Sequence, residues 1–114
     1  MLGHPVAGQT WEGFIIENII NAAPGSTTSC FYRASGGAEI DLILALPGRR
    51  PWAIEIKRSL EPRLTRGFHD ACADVDPEAK YVVYSGKEQF AMPNDVSAIS
   101  VVDLARRVAN VTAA

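Results

Sequence analysis

The chain lacks the features that mark several large protein classes. Its 114 residues contain only two cysteines, Cys30 and Cys72, which are too few for a disulfide framework and have no Cys or His at the spacing of a structural zinc site. The longest apolar runs, such as 81–84, are far too short to span a membrane. No basic start followed by an apolar stretch opens the sequence, so we expect no secretory signal and a cytoplasmic protein.

Other absences narrow the function and the architecture. There is no Gly-x-x-x-x-Gly-Lys-Ser/Thr loop, so the chain is not expected to hydrolyse ATP by itself. Neither charge sign dominates, with 11 Lys and Arg against 13 Asp and Glu, and the 47% hydrophobic fraction is typical of a soluble globular protein. The length suits one domain. Residues 1–8 are predicted to be a lead-in, compatible with the remnant of a preceding domain, and residues 9–114 one domain.

The positive charge is concentrated in the middle of the chain. Residues 49–69 contain six basic residues against two acidic ones, a local charge of +4 in an otherwise acidic sequence. Such a block can bind a polyanion such as nucleic acid, or it can be a solvated face that only keeps the protein soluble. The charge pattern alone leaves both interpretations open.

Hydrophobic periodicity predicts an α/β fold with a mixed sheet flanked by helices. The predicted order is α-β-β-β-α-β-β-α. The elements are a helix between its cap Thr10 and its stop Pro24-Gly25, strands over 29–34, 39–46 and 52–58, a helix over 62–75, strands over 80–84 and 98–102, and a last helix capped by Asp103. The first three strands form an antiparallel meander, and the helical crossover makes the fourth strand parallel to a neighbour.

The same periodicity predicts which side chains face inward. On the first helix they are Trp11, Phe14, Ile15, Ile19 and Ala22, and on the second they are Leu64, Phe68, Ala71, Cys72 and Val75. Strand 39–46 alternates, with one face formed by Ile40, Leu42, Leu44 and Leu46. With the 47–51 turn centred on Arg49, Asp41 lies opposite Lys57, and Asp41, Glu55 and Lys57 project from one face of the sheet.

Two carboxylates and an ammonium on apolar strands need a compensating partner. Burying unpaired charges costs several kcal/mol, and a divalent cation that prefers oxygen ligands removes that cost. Asp41 and Glu55 are therefore predicted ligands of Mg²⁺ or Mn²⁺, Lys57 would orient the attacking water or stabilise developing charge, and Glu12 would be an outer ligand or a general base. The alternative is a cross-strand ion-pair cluster without metal.

The residues that carry this chemistry also resemble a known family. Glu12, Asp41 and Glu55-Ile56-Lys57 resemble the PD-(D/E)xK nuclease-like superfamily of the restriction-endonuclease fold. More narrowly, the chain is similar to an uncharacterised domain found C-terminal to the ATPase module of prokaryotic AAA-type ATPases. The segments that carry this similarity are Gly8-x-x-Trp11-Glu12-x-Phe14-Ile15, Phe31-Tyr32-Arg33, Gly37-x-Glu39-Ile40-Asp41-Leu42, Ala53-Ile54-Glu55-Ile56-Lys57-x-Ser59 and Val82-Val83-Tyr84.

The resemblance implies a restriction-endonuclease-like core, with Asp41 and Glu55 as metal ligands and Lys57 as the catalytic lysine. The predicted function is a Mg²⁺-dependent phosphodiester hydrolase of an ATPase-associated protein that acts on nucleic acid, in the first place DNA. The candidate phosphate contacts are Arg33, Arg58, Arg63 and Arg66. The alternative is a catalytically silent interaction module of an AAA-type ATPase, and a third candidate is nucleic-acid binding without cleavage. No membrane partner is expected.

Overall fold

A mixed seven-stranded β-sheet organises the chain. The computed structural model describes residues 2–3, through their backbone, and residues 10–111. The strands are β1 (Leu2–Gly3), β2 (Thr28–Arg33), β3 (Glu39–Ala45), β4 (Trp52–Ile56), β5 (Ala79–Val83), β6 (Phe90–Met92) and β7 (Val96–Ile99). Their order across the sheet is β1-β2-β3-β4-β5-β7-β6. The mixed α/β fold class predicted from the sequence is confirmed.

Strand directions follow from the lengths of the connections. Strands β1 to β4 pair antiparallel, whereas β4 with β5 and β5 with β7 pair parallel. The antiparallel meander and the parallel crossover are as predicted, because a short turn reverses the chain and a helical connection carries it back in the same direction. Strands β1 and β6, which pairs antiparallel with β7, were not predicted. Most of the predicted lead-in lies outside the described residues.

The described residues form three α-helices beside the sheet: α1 (Trp11–Ala22), α2 (Arg66–Val75) and α3 (Val101–Ala109). Thr10 caps α1 as predicted, since its hydroxyl accepts a hydrogen bond from the Gly13 amide at 3.0 Å. Among the described residues no helix combines the length and the apolarity that a membrane crossing requires.

Two predicted helix boundaries are wrong because other hydroxyl groups cap the helices. The Thr65 hydroxyl accepts the Phe68 amide, so α2 begins at Arg66 and not at residue 62. The Ser100 hydroxyl accepts the Asp103 amide, so α3 begins before Asp103, the predicted cap. The strand before α3 is accordingly 96–99 and not 98–102. A capping side chain accepts a free amide of the first turn and so determines where the helix starts.

The sheet separates two apolar cores. The side of α1 and α3 buries Ile15, Ile19, Leu42, Leu44, Trp52, Ile54, Ile99, Leu104 and Val108, among others. The side of α2 buries Ile40, Ile43, Ala53, Phe68, Ala71, Cys72, Val82 and Ala98, among others. The predicted inner face of α2 is confirmed. On α1 the prediction for Phe14 is wrong, because its side chain is 60% exposed and Ile16 is buried on this helix instead.

A β-bulge interrupts the alternation of β3. Cys30 pairs with Ile43 and Tyr32 pairs with Ile40, so the single residue Phe31 lies opposite both Asp41 and Leu42. A bulge of this kind turns two successive side chains toward the same side of a sheet. Leu42 accordingly belongs to the core under α1 and α3, and Ile40 belongs to the core under α2. The predicted common face of Ile40 and Leu42 is wrong.

Helix α2 packs closely against the turn between β2 and β3. A Cβ atom added at Gly67 would lie 2.2 Å from the carbonyl oxygen of Gly37, far inside van der Waals contact. The atoms nearest to that Cβ all belong to the backbone of Gly37 and Ala38, so no side-chain rotation can relieve the contact. The approach of α2 to the sheet therefore depends on glycine at position 67.

We expect Gly67→Ala to lower the free energy of unfolding by about 1–3 kcal/mol, the typical cost of overpacking, although alanine favours helix formation. Urea unfolding followed by circular dichroism measures this change. Gly25→Ala is the matched control, because no heavy atom lies within 4 Å of an added Cβ there. Equal stability of the two variants would contradict the close packing of α2.

Candidate active site

The antiparallel ladder of β3 and β4 ends at two carboxylates. Its pairs are Leu44 with Trp52, Ile43 with Ala53, and Leu42 with Ile54. The turn is therefore centred on Gly48, which adopts a φ of +69°, and not on Arg49 as predicted. One further step of this register places Asp41 opposite Glu55 in place of Lys57. Because the shift is two residues, it leaves the predicted faces of β4 unchanged.

Two backbone amides connect the carboxylates of Asp41 and Glu55. The Asp41 amide donates to Oε1 of Glu55 at 3.3 Å, and the Ile56 amide donates to Oδ2 of Asp41 at 2.9 Å. Each side chain thus accepts an amide of the neighbouring strand at the point where the ladder opens. We call this arrangement the carboxylate clasp. It aligns the two acids although the bulge removes Asp41 from simple alternation.

The side chains of Asp41 and Glu55 do not project from the same face of the sheet. The predicted common face of Asp41, Glu55 and Lys57 is therefore wrong. Asp41 lines a cleft beside α1, whereas the charge of Glu55 acts on the Cys72 thiol of α2. Ile54 and Ile56 belong to the core under α1 and α3, so alternation turns Glu55 toward the α2 side. The two acids meet at the end of the ladder, from opposite sides of the sheet.

Among the described residues, Glu55 is the only buried residue with an acidic or basic side chain, and it is 2% exposed. Its pKa is raised to about 9, mainly by burial and then by the charge of Asp41 and a side-chain hydrogen bond to Asp41, while the ammonium of Lys57 lowers it in part. Two carboxylates in contact share negative charge poorly in a medium of low polarity, so one of them holds a proton. At neutral pH and without a cation, Glu55 is the protonated partner.

Lys57 and Glu12 both lie near the carboxylate clasp. Nζ of Lys57 is 3.9 Å from Oε2 of Glu55, and the lysine side chain is 31% exposed, so it connects the buried acid with solvent. Partial burial raises the pKa of Glu12, followed by the charges of Asp41 and Glu39, while Lys57 and Arg33 lower it. Of the four residues predicted as catalytic, Glu55 thus contacts Asp41 and Lys57, and Glu12 lines the cleft with Asp41.

An open cleft of about 330 Å³ reaches Glu12 and Asp41, whereas Glu55 and Lys57 are not among the residues that line it. Its lining includes Glu12 of α1, Arg33 of β2, and Glu39 and Asp41 of β3, together with Thr10, Gly13, Ile16, Phe31 and Ile40. Glu39 was not among the site residues predicted from the sequence. The sequence could have indicated it, because Glu39 lies two residues before Asp41 and residues two apart in a regular strand share one face.

The four predicted phosphate contacts differ in their surroundings. Arg33 pairs with Glu39, at 3.5 Å, and lines the cleft. Arg58 follows Lys57 directly and lies over the ring of Trp11, with its Cζ atom 5.5 Å from the ring centroid. Arg66 pairs with Asp70 of its own helix at 3.8 Å, and its side chain is 94% exposed. Arg63 is exposed in the segment before α2.

The metal-binding potential of the cluster rests on the two carboxylates of the clasp. Within residues 2–3 and 10–111, no three His, Cys, Asp or Glu side chains are grouped closely enough to form a metal cage. Mg²⁺ does not need such a cage, since it is usually held by one or two carboxylates with water and substrate oxygens. The hard oxygen donors of Asp41 and Glu55 fit that ion.

The raised pKa of Glu55 predicts how stability depends on pH. A carboxyl group whose pKa is higher in the folded than in the unfolded chain destabilises the fold as pH rises from its ordinary value of 4.5 to about 9. In the presence of EDTA, we therefore expect the free energy of unfolding to fall between pH 5 and pH 9. Glu55→Gln, which mimics the protonated acid, should remove most of this fall, and urea unfolding at both pH values measures it.

The matched control for this prediction is Glu61→Gln, which alters an exposed glutamate. It should keep the wild-type fall in stability between the two pH values. An equal fall in the wild type and in Glu55→Gln would contradict the assignment of the buried proton to Glu55.

Comparisons with known proteins identify relatives without a characterised activity. The uncharacterised protein Mb2031c of Mycobacterium bovis and the uncharacterised protein Rv2008c of Mycobacterium tuberculosis are each 32% identical to this chain over 96 residues. The aligned region is 84% of this chain and 21% of each relative, so the chain spans about a fifth of their length. No solved structure matches the chain.

A family model provides the assignment. It matches residues 7–104, which include the carboxylate clasp, Lys57, Glu12 and all four arginines considered above. The chain therefore belongs to the family described as Domain of unknown function (DUF4143).

Proposed function

We propose that this domain is a metal-dependent phosphodiester hydrolase that acts on nucleic acid. The observation that carries the proposal is the carboxylate clasp, in which Asp41 and the buried Glu55 meet beside Lys57 at the end of β3 and β4. A buried acid with no catalytic or binding role would be costly to retain, because an apolar residue of similar size would stabilise the core. Perturbed acids beside an open cleft are typical of functional sites.

The donor atoms of the clasp suit Mg²⁺ or Mn²⁺. Backbone amides hold Oε1 of Glu55 and Oδ2 of Asp41, so Oε2 of Glu55 and Oδ1 of Asp41 are the oxygens that would coordinate the ion. A divalent cation would supply Lewis acidity and a water of lowered pKa. Binding would also release the proton of Glu55, since carboxylates ligate in their charged form.

The other side chains have roles that follow from their positions. Lys57 lies 3.9 Å from Glu55 and partly in solvent, where its ammonium would stabilise negative charge developing on a phosphate. Glu12 lines the cleft opposite the strands, and its raised pKa makes it a stronger base toward water than an ordinary glutamate. Negative charge in the cleft repels a phosphate, so a cation at the clasp would be needed for a nucleic acid to enter.

The positions of four arginine side chains favour nucleic acid as the substrate. Arg33 lines the cleft, and Arg58 lies directly beyond Lys57. Arg63 and Arg66 extend the exposed positive charge from there to the start of α2. A row of exposed guanidinium groups leading to a hydrolytic site would bind successive phosphates of a chain.

We further propose a PD-(D/E)xK nuclease-like core and an association with an AAA-type ATPase. The order of β2, β3, β4, α2 and β5, with the acids on β3 and β4, agrees with the order that the sequence resemblance implies. The ATPase association is supported by that resemblance and by the length of the mycobacterial relatives, which are several times longer than this chain.

A second candidate is an interaction module without catalysis. The observation that favours it is Phe14, a large apolar side chain 60% exposed on α1, the helix that also carries Glu12. A domain that forms a small part of a longer protein has neighbours to contact, and an exposed aromatic residue suits such a contact. On this alternative, the clasp would be an ion-pair and proton network that binds no metal.

Metal binding distinguishes these two candidates. At a Mg²⁺ or Mn²⁺ concentration about 100 times the dissociation constant, stabilisation should be about 2.7 kcal/mol, visible as a rise of several degrees in Tm. Asp41→Asn, which keeps an oxygen acceptor for the Ile56 amide, should abolish that rise. Asp70→Asn, a change on the outer face of α2, should preserve it. A Tm that no divalent ion changes would favour the interaction module.

Cleavage tests the proposed role of Lys57. With Mn²⁺ and end-labelled DNA and RNA, we expect wild-type protein to cut the chain and Lys57→Ala to be about 10²–10³ times slower. Lys87→Ala, which removes an exposed lysine outside the cleft lining, should cut at the wild-type rate. Equal rates for the wild type and Lys57→Ala would remove lysine from the mechanism, and no cleavage by either would favour the interaction module.

A further inference from the structure

Two arginines beside the cleft lie over aromatic rings. The Cζ atom of Arg33 is 5.3 Å from the centroid of Phe31, and that of Arg58 is 5.5 Å from the centroid of Trp11. Both distances lie within the range of cation–π attraction. We call these pairs the two arginine–aromatic stacks.

Both stacks border the carboxylate cluster. Phe31 lines the cleft and lies opposite the bulge that contains Asp41. Trp11 directly precedes Glu12 in α1, and Arg58 directly follows Lys57. A polymer that passes the clasp would therefore meet a flat cationic group on β2 and a second one beside the first turn of α1.

The stacks present surfaces that suit unpaired bases. Trp11 packs against the core under α1 and α3, and Arg58, an exposed residue, covers it. A guanidinium plane stacks on a base and can donate hydrogen bonds to a phosphate at the same time. The bases of a duplex already stack on each other and are not free to use such a surface, whereas those of a single strand are.

We propose that the substrate of this site is a single-stranded nucleic acid whose bases stack on the Arg33–Phe31 and Arg58–Trp11 pairs. This inference rests on the proposed function for the reaction and for the class of polymer. The Arg33 guanidinium also lies 3.5 Å from Glu39, which lines the same cleft. As isolated surface contacts, the two pairs would add little to stability.

Tryptophan fluorescence gives a direct test, because the chain has two tryptophans in different places. Trp11 lies under Arg58, whereas Trp52 is 4% exposed and its indole N–H donates to Glu78. A 12-nucleotide thymidine oligomer should quench the emission of Lys57→Ala protein in Mg²⁺, a background chosen to slow cleavage. The additional change Trp11→Phe should remove this quenching.

Affinities measured in the same titrations separate stacking from charge. A single strand should bind at least five times more tightly than a duplex of equal length, and at least five times more tightly than an abasic strand with the same phosphates. Arg58→Lys keeps the charge but removes the planar group, and it should weaken single-strand binding about fivefold or more. Arg106→Gln, which alters an exposed arginine of α3 paired with Asp103, is the control and should bind as the background protein does.

Several outcomes would overturn the inference without deciding the proposed hydrolysis. Equal binding of the abasic strand, tighter binding of the duplex, or quenching that survives Trp11→Phe would each exclude stacking on these pairs. Absence of any binding by folded protein would exclude it as well. The cleavage and metal-stabilisation experiments on the clasp report the proposed function independently, since both can succeed on a duplex or without a polymer.

Discussion

The exchange of two amide hydrogen bonds between Asp41 and Glu55 is the interaction on which the candidate site depends. It forms where the regular pairing of β3 and β4 stops, and it replaces ladder bonds with bonds from main chain to carboxylate. Each acid is thereby held by the neighbouring strand. The cleft, the lysine and the first turn of α1 are arranged around this point.

This arrangement requires the burial of an acid in an otherwise apolar part of the sheet, which costs free energy. The side chains on either side of Glu55, Ile54 and Ile56, belong to the core, and Glu55 itself is 2% exposed. Desolvation and the charge of Asp41 disfavour its ionised form, and the more exposed Lys57 compensates only in part. Such a group is neutral when it holds a proton and is charged when a cation is close. In the proposed function, the clasp would exchange its proton for the metal ion.

Local sequence patterns were sufficient for most of the architecture. The alternation of Trp52, Ile54 and Ile56, the period of the inner residues of α2 and the turn residues 47–51 predicted elements that the structure contains. Boundaries were less accurate at Thr65 and Ser100, whose hydroxyl groups cap the helices although the hydrophobic period placed the starts elsewhere. The hairpin centre was also displaced, since Gly48 and not Arg49 tolerates the positive φ at that turn.

The candidate site was predictable in composition but not in geometry. Sequence alone marked Asp41, Glu55, Lys57 and Glu12, because charged residues on apolar strands and near a helix start are conspicuous. It gave no sign of the bulge, which depends on how Phe31 of β2 pairs with β3. The exposure of Phe14 and the burial of Ile16 were equally hidden, since the position of α3 decides which face of α1 is covered.

Residue identity, then, determined by itself the layers, the strand order of the meander and the acids and bases that can do chemistry, because hydrophobic period and turn chemistry act over a few neighbouring residues. Tertiary structure alone decided that Asp41 reaches Glu55 from the other side of the sheet and that arginines lie over Phe31 and Trp11. These contacts join residues distant in sequence, and their geometry follows from a bulge and a register that only the complete sheet defines.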